Sequence, residues 1–247
     1  MQLLENIIDQ QDIATFRDYW DKNNQHTYIN AWTNPGHPHA DRSEFIDRRL
    51  LIIKGTKSYD IIQRIVDQIW PGENQPFWAN FQRQSICHMM HVDEYGKDRT
   101  NPTWTIILAL DTEPLWKAVI FKEMFNCCDE LVDYLSNHLD FSQPPRGNYS
   151  EAYDLQHMDN WQGGENFNFC NWFELDGVFE YRAGNGVLFD TNQAHTTNNW
   201  VRYPQFQYRE LLQIHIGKTA STNMTHFEKG RGERPMHDDD LRAKLVI

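Results

Sequence analysis

The chain has 247 residues, 23 of them basic and 35 acidic, for a formal net charge of −12 at neutral pH. Hydrophobic residues at 40% with 13% aromatics exclude a disordered or low-complexity chain, and the length suits one domain with a core able to fold unaided. The acidic balance argues against a nucleic-acid or anionic-membrane surface, and no stretch approaches the roughly 18–20 apolar residues that cross a bilayer. The most concentrated basic group, Lys229 with Arg231 and Arg234, lies in the tail.

The opening residues, Met1 to Asp9, carry no basic segment and no small-residue cleavage site, so no secretory signal is expected. Cysteines stand at 87, 127, 128 and 170 without a Cys-x-x-Cys pair, which argues against a zinc ribbon or a disulfide framework. A cytoplasmic protein with reduced thiols is the expectation.

In chain order, Leu3, Leu4, Ile7, Ile8, Ile13, Phe16 and Trp20 recur at three and four, the spacing of an amphipathic helix with a break near Gln11. Asn34 to Pro38 reads as a turn-rich loop, and Arg49 to Lys54 as a short buried strand ended by Gly55. A second helix follows, capped by Ser58, with Ile61, Ile62, Ile65, Val66 and Ile69 on one stripe. After Pro71-Gly72 the period falls to two. Strands are expected at 77–90, 103–110, 117–122, 167–175, 178–182, 186–190 and 208–216. Strands without regular helices between them predict a mainly β fold, an antiparallel barrel or jelly roll. One helical interruption, Asn126 to Leu139, opens an insertion (124–164), and a polar tail runs from 218. The layout predicts a single domain over 1–247: N-terminal helical support (1–75), a jelly-roll core (76–217) with that insertion, and the tail (218–247).

Two histidines and a carboxylate can occupy one face of an octahedral Fe(II) and leave three positions open. Their usual sequence form is His-x-Asp with a distal His on a later strand. The triplet occurs five times, at His39-Asp41, His91-Asp93, His138-Asp140, His157-Asp159 and His237-Asp239, so context must choose. His138 closes a helix, where its charge suits the helix dipole. His39 falls in a Pro-rich loop, and His237 in the acidic tail. His157 lies only 38 positions before His195, too close for the intervening strands of a barrel. His91-Val92-Asp93 ends a long strand and precedes a turn, and residues two apart in a strand face one way. Its partner is His195, after the glycine turn and apolar strand 184–190, and the strand Tyr208 to Ile216 then opens with Arg209.

These blocks resemble the Fe(II)- and 2-oxoglutarate-dependent oxygenase superfamily, on the side of the prolyl-hydroxylase-like and phytanoyl-type hydroxylases. The likeness covers roughly 77–216 and is strongest in 91–121 and 183–216. It implies a double-stranded β-helix jelly roll with helices packed on one sheet. It implies His91, Asp93 and His195 as iron ligands and the catalytic set. Arg209, 14 positions after His195, would bind the distal carboxylate of 2-oxoglutarate, with Gln82 and Thr105 as further cosubstrate contacts. The implied reaction consumes O2 and 2-oxoglutarate, releases succinate and CO2, and oxidises, in most members by hydroxylation, a small-molecule or peptidyl substrate. There are departures: Leu211 stands where many members carry a Ser or Thr, Gln82 where a Tyr is common, and Arg202 competes with Arg209 for the anchor.

His88 is expected on the opposite strand face from His91. His215 shares the odd-numbered face with Arg209 and is expected at the far end of the barrel in a structural role. Trp104, Trp116, Trp161 and Trp172 are candidate pocket walls. Two rival readings use the same architecture. A cupin-like metal enzyme without 2-oxoglutarate normally needs His-x-His, which occurs only as His37-Pro38-His39, in the wrong context. A non-catalytic jelly-roll binding module would hold no metal at the triad. Neither the substrate nor the oligomeric state is legible.

Overall fold

The computed structural model describes residues 1–29, 47–72, 75–84, 90–93, 104–153, 155, 169–198 and 208–217. The loop at 34–38, His88, the triplets at 39, 157 and 237, Trp161, Arg202 and the tail lie outside the described residues.

Among the described residues, ten strands form two antiparallel sheets. They are β1 (Gln2–Leu4), β2 (Tyr28–Ile29), β3 (Asp47–Leu51), β4 (Gln75–Gln84), β5 (Trp104–Ala109), β6 (Glu113–Met124), β7 (Leu175–Tyr181), β8 (Gly186–Asp190), β9 (Gln193–Thr197) and β10 (Arg209–Gly217). The larger sheet runs β1-β8-β5-β10-β4-β3-β2 and the smaller β7-β6-β9, which residue 91 extends through an isolated bridge to residue 195. From β4 onward the chain passes repeatedly between the sheets, through residue 91, β5, the β6–β7 pair, β8, β9 and β10, as in a double-stranded β-helix.

Alternate residues of the large sheet face two different interiors. On β5 and β10, Ile106, Leu108, Leu212, Ile214 and Ile216 join Phe81 of β4 against α1 (Gln10–Asn23) and α2 (Lys57–Ile69), through Phe16, Trp20, Ile62, Ile65 and Val66. On the inward side, Ile107, Ala109 and Leu211 meet Trp116, Ala118, Ile120, Phe179, Tyr181, Val187 and Phe189 between the sheets. A third cluster packs the insertion helix α3 (Cys128–Asp133) behind the metal-motif segment, joining Leu131 and Leu135 to Met90, Val92, Phe121 and Ala194. The outer face also carries an ion-pair cluster. Arg17 of α1 and Arg83 of β4 share the buried Glu210, and Arg17 also reaches Asp111, which clamps α1 to β10.

Several elements differ from expectation. Leu3 and Leu4 belong to β1 rather than to a helix, because Gln2–Leu4 pair with Gly186–Leu188 and complete the sheet edge. The helix starts at Gln10, where Asp9 and Asp12 form a reciprocal capping box. The second helix is capped by Thr56, whose hydroxyl accepts from the Tyr59 backbone, not by Ser58. The strand expected at 167–175 is instead a 3-10 turn at Phe169–Trp172 leading into β7. The helix expected over Asn126 to Leu139 shortens to α3 and a π turn at Tyr134–His138.

Gly184 locks the N-terminal segment to the turn before β8. Its carbonyl accepts from Ile7 and Ile8, its φ is +89°, and a Cβ there would meet the Ile8 carbonyl oxygen at 2.6 Å. Gly184→Ala combines a left-handed backbone penalty with a backbone clash, so it should cost about 2 kcal/mol or more. Calorimetry should show a melting point lower by about 4–8 °C for a chain of this size.

Candidate metal centre and its polar wall

His91 and His195 are brought together by the backbone. Each amide donates to the other's carbonyl at 2.9 Å, a reciprocal antiparallel pair that sends both side chains to one face. Their ring centroids stand 4.2 Å apart. The Asp93 amide donates to the Thr191 carbonyl at 3.0 Å, so the motif is tied at one end to β9 and at the other to the turn before it. His195 therefore sits within a strand, β9, rather than just after one as expected.

The ligand atoms of His91, Asp93 and His195 all lie within 4.8 Å of one another. His195 Nε2 is 3.9 Å from Asp93 Oδ1, a separation two ligands can hold on one ion at about 2 Å each. The donor set, two imidazoles and one carboxylate, suits a divalent transition metal with open positions. No other group of three or more such side chains converges among the described residues. His138 is exposed on the surface, 3.2 Å from Asp133.

The surrounding hydrogen bonds orient each donor. His195 Nδ1–H donates to the Gln193 carbonyl at 2.9 Å, which leaves Nε2 as the lone-pair nitrogen facing Asp93. Thr105 Oγ1 donates to Asp93 Oδ2 at 2.7 Å, and His215 Nδ1 lies 3.2 Å from the same hydroxyl. Since that hydroxyl gives its proton to Asp93, His215 donates to it. Burial drives the His215 imidazole down to about 4, with Arg49 and His195 adding to the effect and Asp93 opposing it. It is neutral at pH 7. Burial alone would raise the Asp93 carboxyl, but the imidazoles of His195, His215 and His91 and the Thr105 hydroxyl outweigh it and hold the group below its usual range. His215 thus lies at the Asp93 end of β10, its ring 5.0 Å from that of Trp78 and tilted by 31°, not at the far end.

The far end is Arg209, buried as its inward position requires. Its Nε and Nη2 donate to Gln84 Oε1 at 2.8 and 2.5 Å, and Nη1 donates to the Tyr181 hydroxyl at 3.0 Å. Between Arg209 and Asp93 runs a chain of amides. Gln84 Nε2 donates to Gln82 Oε1, Gln82 Nε2 to Gln213 Oε1 at 2.5 Å, and Gln213 Nε2 to Asp93 Oδ1 at 3.2 Å. A guanidinium can only donate and a carboxylate can only accept, so the two ends fix the direction of every amide between them. Arg49 of β3 donates from Nη1 to the same Gln213 oxygen at 3.3 Å.

All six expected site residues therefore face one interior: His91, Asp93 and His195 converge, Thr105 holds Asp93, and Gln82 links Arg209 towards it. Sequence reasoning missed Tyr181, Gln84, Gln213 and Arg49. The even–odd phase that selected Arg209 on β10 would also have selected Gln213. Of the tryptophans, Trp116 lies between the sheets beside Tyr181, Trp104 packs on Trp70, and Trp172, in the turn before β7, donates from its ring nitrogen to the Gln143 carbonyl of the insertion.

No protein-family profile matches this sequence, and no curated protein matches it at a significant level. Solved structures do match. The non-heme alpha-ketoglutarate-dependent epimerase SnoN from nogalamycin biosynthesis superposes with a TM-score of 0.52 at 10% identity, over 95% of this chain and 87% of that one. The carbocyclase SnoK from the same biosynthesis gives 0.51 at 10%, over 95% and 88%. At such identity the likeness shows the fold: this chain has the double-stranded β-helix of these oxygenases. No helix among the described residues is long and apolar enough to cross a membrane.

Thr105→Val keeps the shape of the side chain but removes the hydroxyl that orients Asp93. Titration with Co(II) or Fe(II) under nitrogen should show affinity weaker by about 10–100-fold, the usual effect of removing such a support. His195→Ala and Asp93→Ala should lose binding altogether, with His138→Ala as the unaffected control.

Proposed function

We propose that the chain, acting as one domain, is an Fe(II)- and 2-oxoglutarate-dependent dioxygenase that oxidises a small-molecule or peptidyl substrate. The observation that carries this reading is the convergence of His91, Asp93 and His195 inside a double-stranded β-helix, with a buried arginine at the other end of the same polar wall. SnoN has been crystallised with Fe3+, alpha ketoglutarate and nogalamycin RO.

His91, Asp93 and His195 would hold the metal. Bound Fe(II) and 2-oxoglutarate supply oxygen activation, with succinate and CO2 as the co-products. The protein's residues do the positioning. Gln193 and Thr105 fix which atoms His195 and Asp93 present. Two neutral imidazoles and one carboxylate leave a divalent ion at +1, able to hold an anionic chelator. Arg209 supplies the counter-charge for a distal carboxylate, and its guanidinium fork matches that group in geometry. Burial raises the Tyr181 hydroxyl against the opposing charge of Arg209, so it stays protonated and accepts from Arg209 while its own proton remains available to a ligand. Ile107, Ala109, Leu211 and Val187 line the interior beside this wall and exclude water from the reacting centre.

Purified protein reloaded with Fe(II) should release succinate from 2-oxoglutarate in air, and Asp93→Ala should not. A cupin-like enzyme would turn over without 2-oxoglutarate, and a binding module would bind no iron. Removing one partner of a buried charge pair costs about 3–5 kcal/mol, so Arg209→Ala should weaken 2-oxoglutarate binding by at least about 100-fold. Anaerobic titration of the Fe(II) protein reads that loss. An unchanged affinity reassigns the anchor.

A further inference from the structure

The Asp93 carboxylate has two oxygens, and the protein treats them differently. Oδ2 accepts from the Thr105 hydroxyl at 2.7 Å. Oδ1 is the oxygen that stands 3.9 Å from His195 Nε2, and it accepts from Gln213 Nε2 at 3.2 Å. The two donors come from the paired strands β5 and β10. The terminal torsion of an aspartate is broad and nearly two-fold, so a carboxylate with a single tether can swing and present either oxygen, or both. Two tethers on two different oxygens remove that freedom.

Each donor is itself fixed. Thr105 is fully buried and stands opposite His215 on β10 and Phe189 on β8, so two strands set its backbone. Its branched side chain has little rotamer freedom. His215 Nδ1 lies 3.2 Å from the Thr105 hydroxyl oxygen, on the side away from the proton given to Asp93. Gln213 is oriented from its other end. Its amide oxygen accepts from Gln82 at 2.5 Å and from Arg49 at 3.3 Å, so its nitrogen faces the carboxylate.

We propose that Thr105 and Gln213 are positioning residues that make Asp93 a one-oxygen ligand: Thr105 withholds Oδ2, and Gln213 fixes the orientation in which Oδ1 is presented. The inference rests on the metal site of the oxygenase reading above. Three protein ligands on an octahedral ion leave three positions, and a carboxylate bound through both oxygens would take one of them. A bidentate cosubstrate needs two, so the Thr105 hydroxyl decides whether the third stays open for O2. Thr105 then acts on the metal through Asp93 and does not contact the cosubstrate, in contrast to the role that the family resemblance implies for it.

The test needs no turnover. The full chain is saturated with Mn(II) under nitrogen, and water-proton relaxation counts the waters on the bound ion. Thr105→Val should lower the relaxation per bound ion by about a third, because Oδ2 displaces one of three waters, and Thr105→Ser, which keeps the hydroxyl, should restore it. Thr105→Ala also lacks the hydroxyl and carries the same expectation as Thr105→Val, so the result does not hang on one variant. Gln213→Met, close in shape but without a donor, should leave the water count unchanged, since Thr105 still holds Oδ2. It should weaken Co(II) binding by about 10–100-fold. A purely structural role would lower the melting point without moving the water count at saturation. A wild-type water count in Thr105→Val and Thr105→Ala, a Thr105→Ser protein that behaves like them, or undiminished Co(II) affinity in Gln213→Met overturns the proposal. So does a Thr105→Val protein whose only loss is in 2-oxoglutarate affinity, which would make Thr105 a cosubstrate contact. A protein that shows the expected split yet releases no succinate from 2-oxoglutarate fails as an oxygenase and keeps the assignment. Wild-type protein that binds neither ion overturns both.

Discussion

The two backbone hydrogen bonds between His91 and His195 are the constraint on which the site depends. They join the segment carrying His91 and Asp93 to a short strand from a distant part of the chain, and they are the reason two imidazoles meet on one face. A reciprocal pair in an antiparallel ladder tolerates no slip, because a shift of one residue would turn one ring to the opposite face. The surrounding structure enforces the register from both sides. The Asp93 amide is tied to Thr191, and Met90 and Val92 are packed under the insertion helix by Leu131, Phe121 and Ala194. The insertion helix is therefore part of the support behind the His91 to Asp93 segment.

The same strands carry stability and chemistry on alternate residues. On β10, Leu212, Ile214 and Ile216 fill the helix-facing core, while Arg209, Gln213 and His215 face inward. Burying so many polar groups is costly unless each is bonded, and the amide chain from Arg209 to Asp93 meets that requirement with one directed set of hydrogen bonds. Its polarity follows from its ends. A cation and a carboxylate on the same wall attract each other through three amides rather than by direct contact, which keeps the Arg209 guanidinium forward and the Asp93 carboxylate oriented.

Much of this was legible in the sequence, for identifiable reasons. Five His-x-Asp triplets could not be ranked by composition, but strand context isolated His91 and Asp93, and the glycine turn with its apolar strand pointed to His195. The parity of Arg209 placed it indoors. Local reading failed where two periods fit the same residues: Leu3, Leu4, Ile7 and Ile8 match a helix, yet the open edge of β8 recruits residues 2–4 as a strand. It failed again where function depends on partners across the sheet. Gln84, Tyr181 and Arg49 are ordinary strand residues until the β3–β4–β10 register and the packing of the small sheet are known.

The electrostatics of the whole chain and of its interior point in opposite directions, and both bear on selectivity. A body with a net charge of −12 repels polyanions at long range. That repulsion is screened beyond about 8 Å at physiological ionic strength, whereas buried charges such as Arg49 and Arg209 act through a medium where attraction is several-fold stronger than in water. An extended polyanion would feel that net charge along its whole length. A small anion crosses the screened exterior with little penalty and then meets buried guanidiniums beside the His91, Asp93 and His195 cluster. The discrimination is one of size as much as of charge, and it follows from placing cations on an inward sheet face of an otherwise acidic protein.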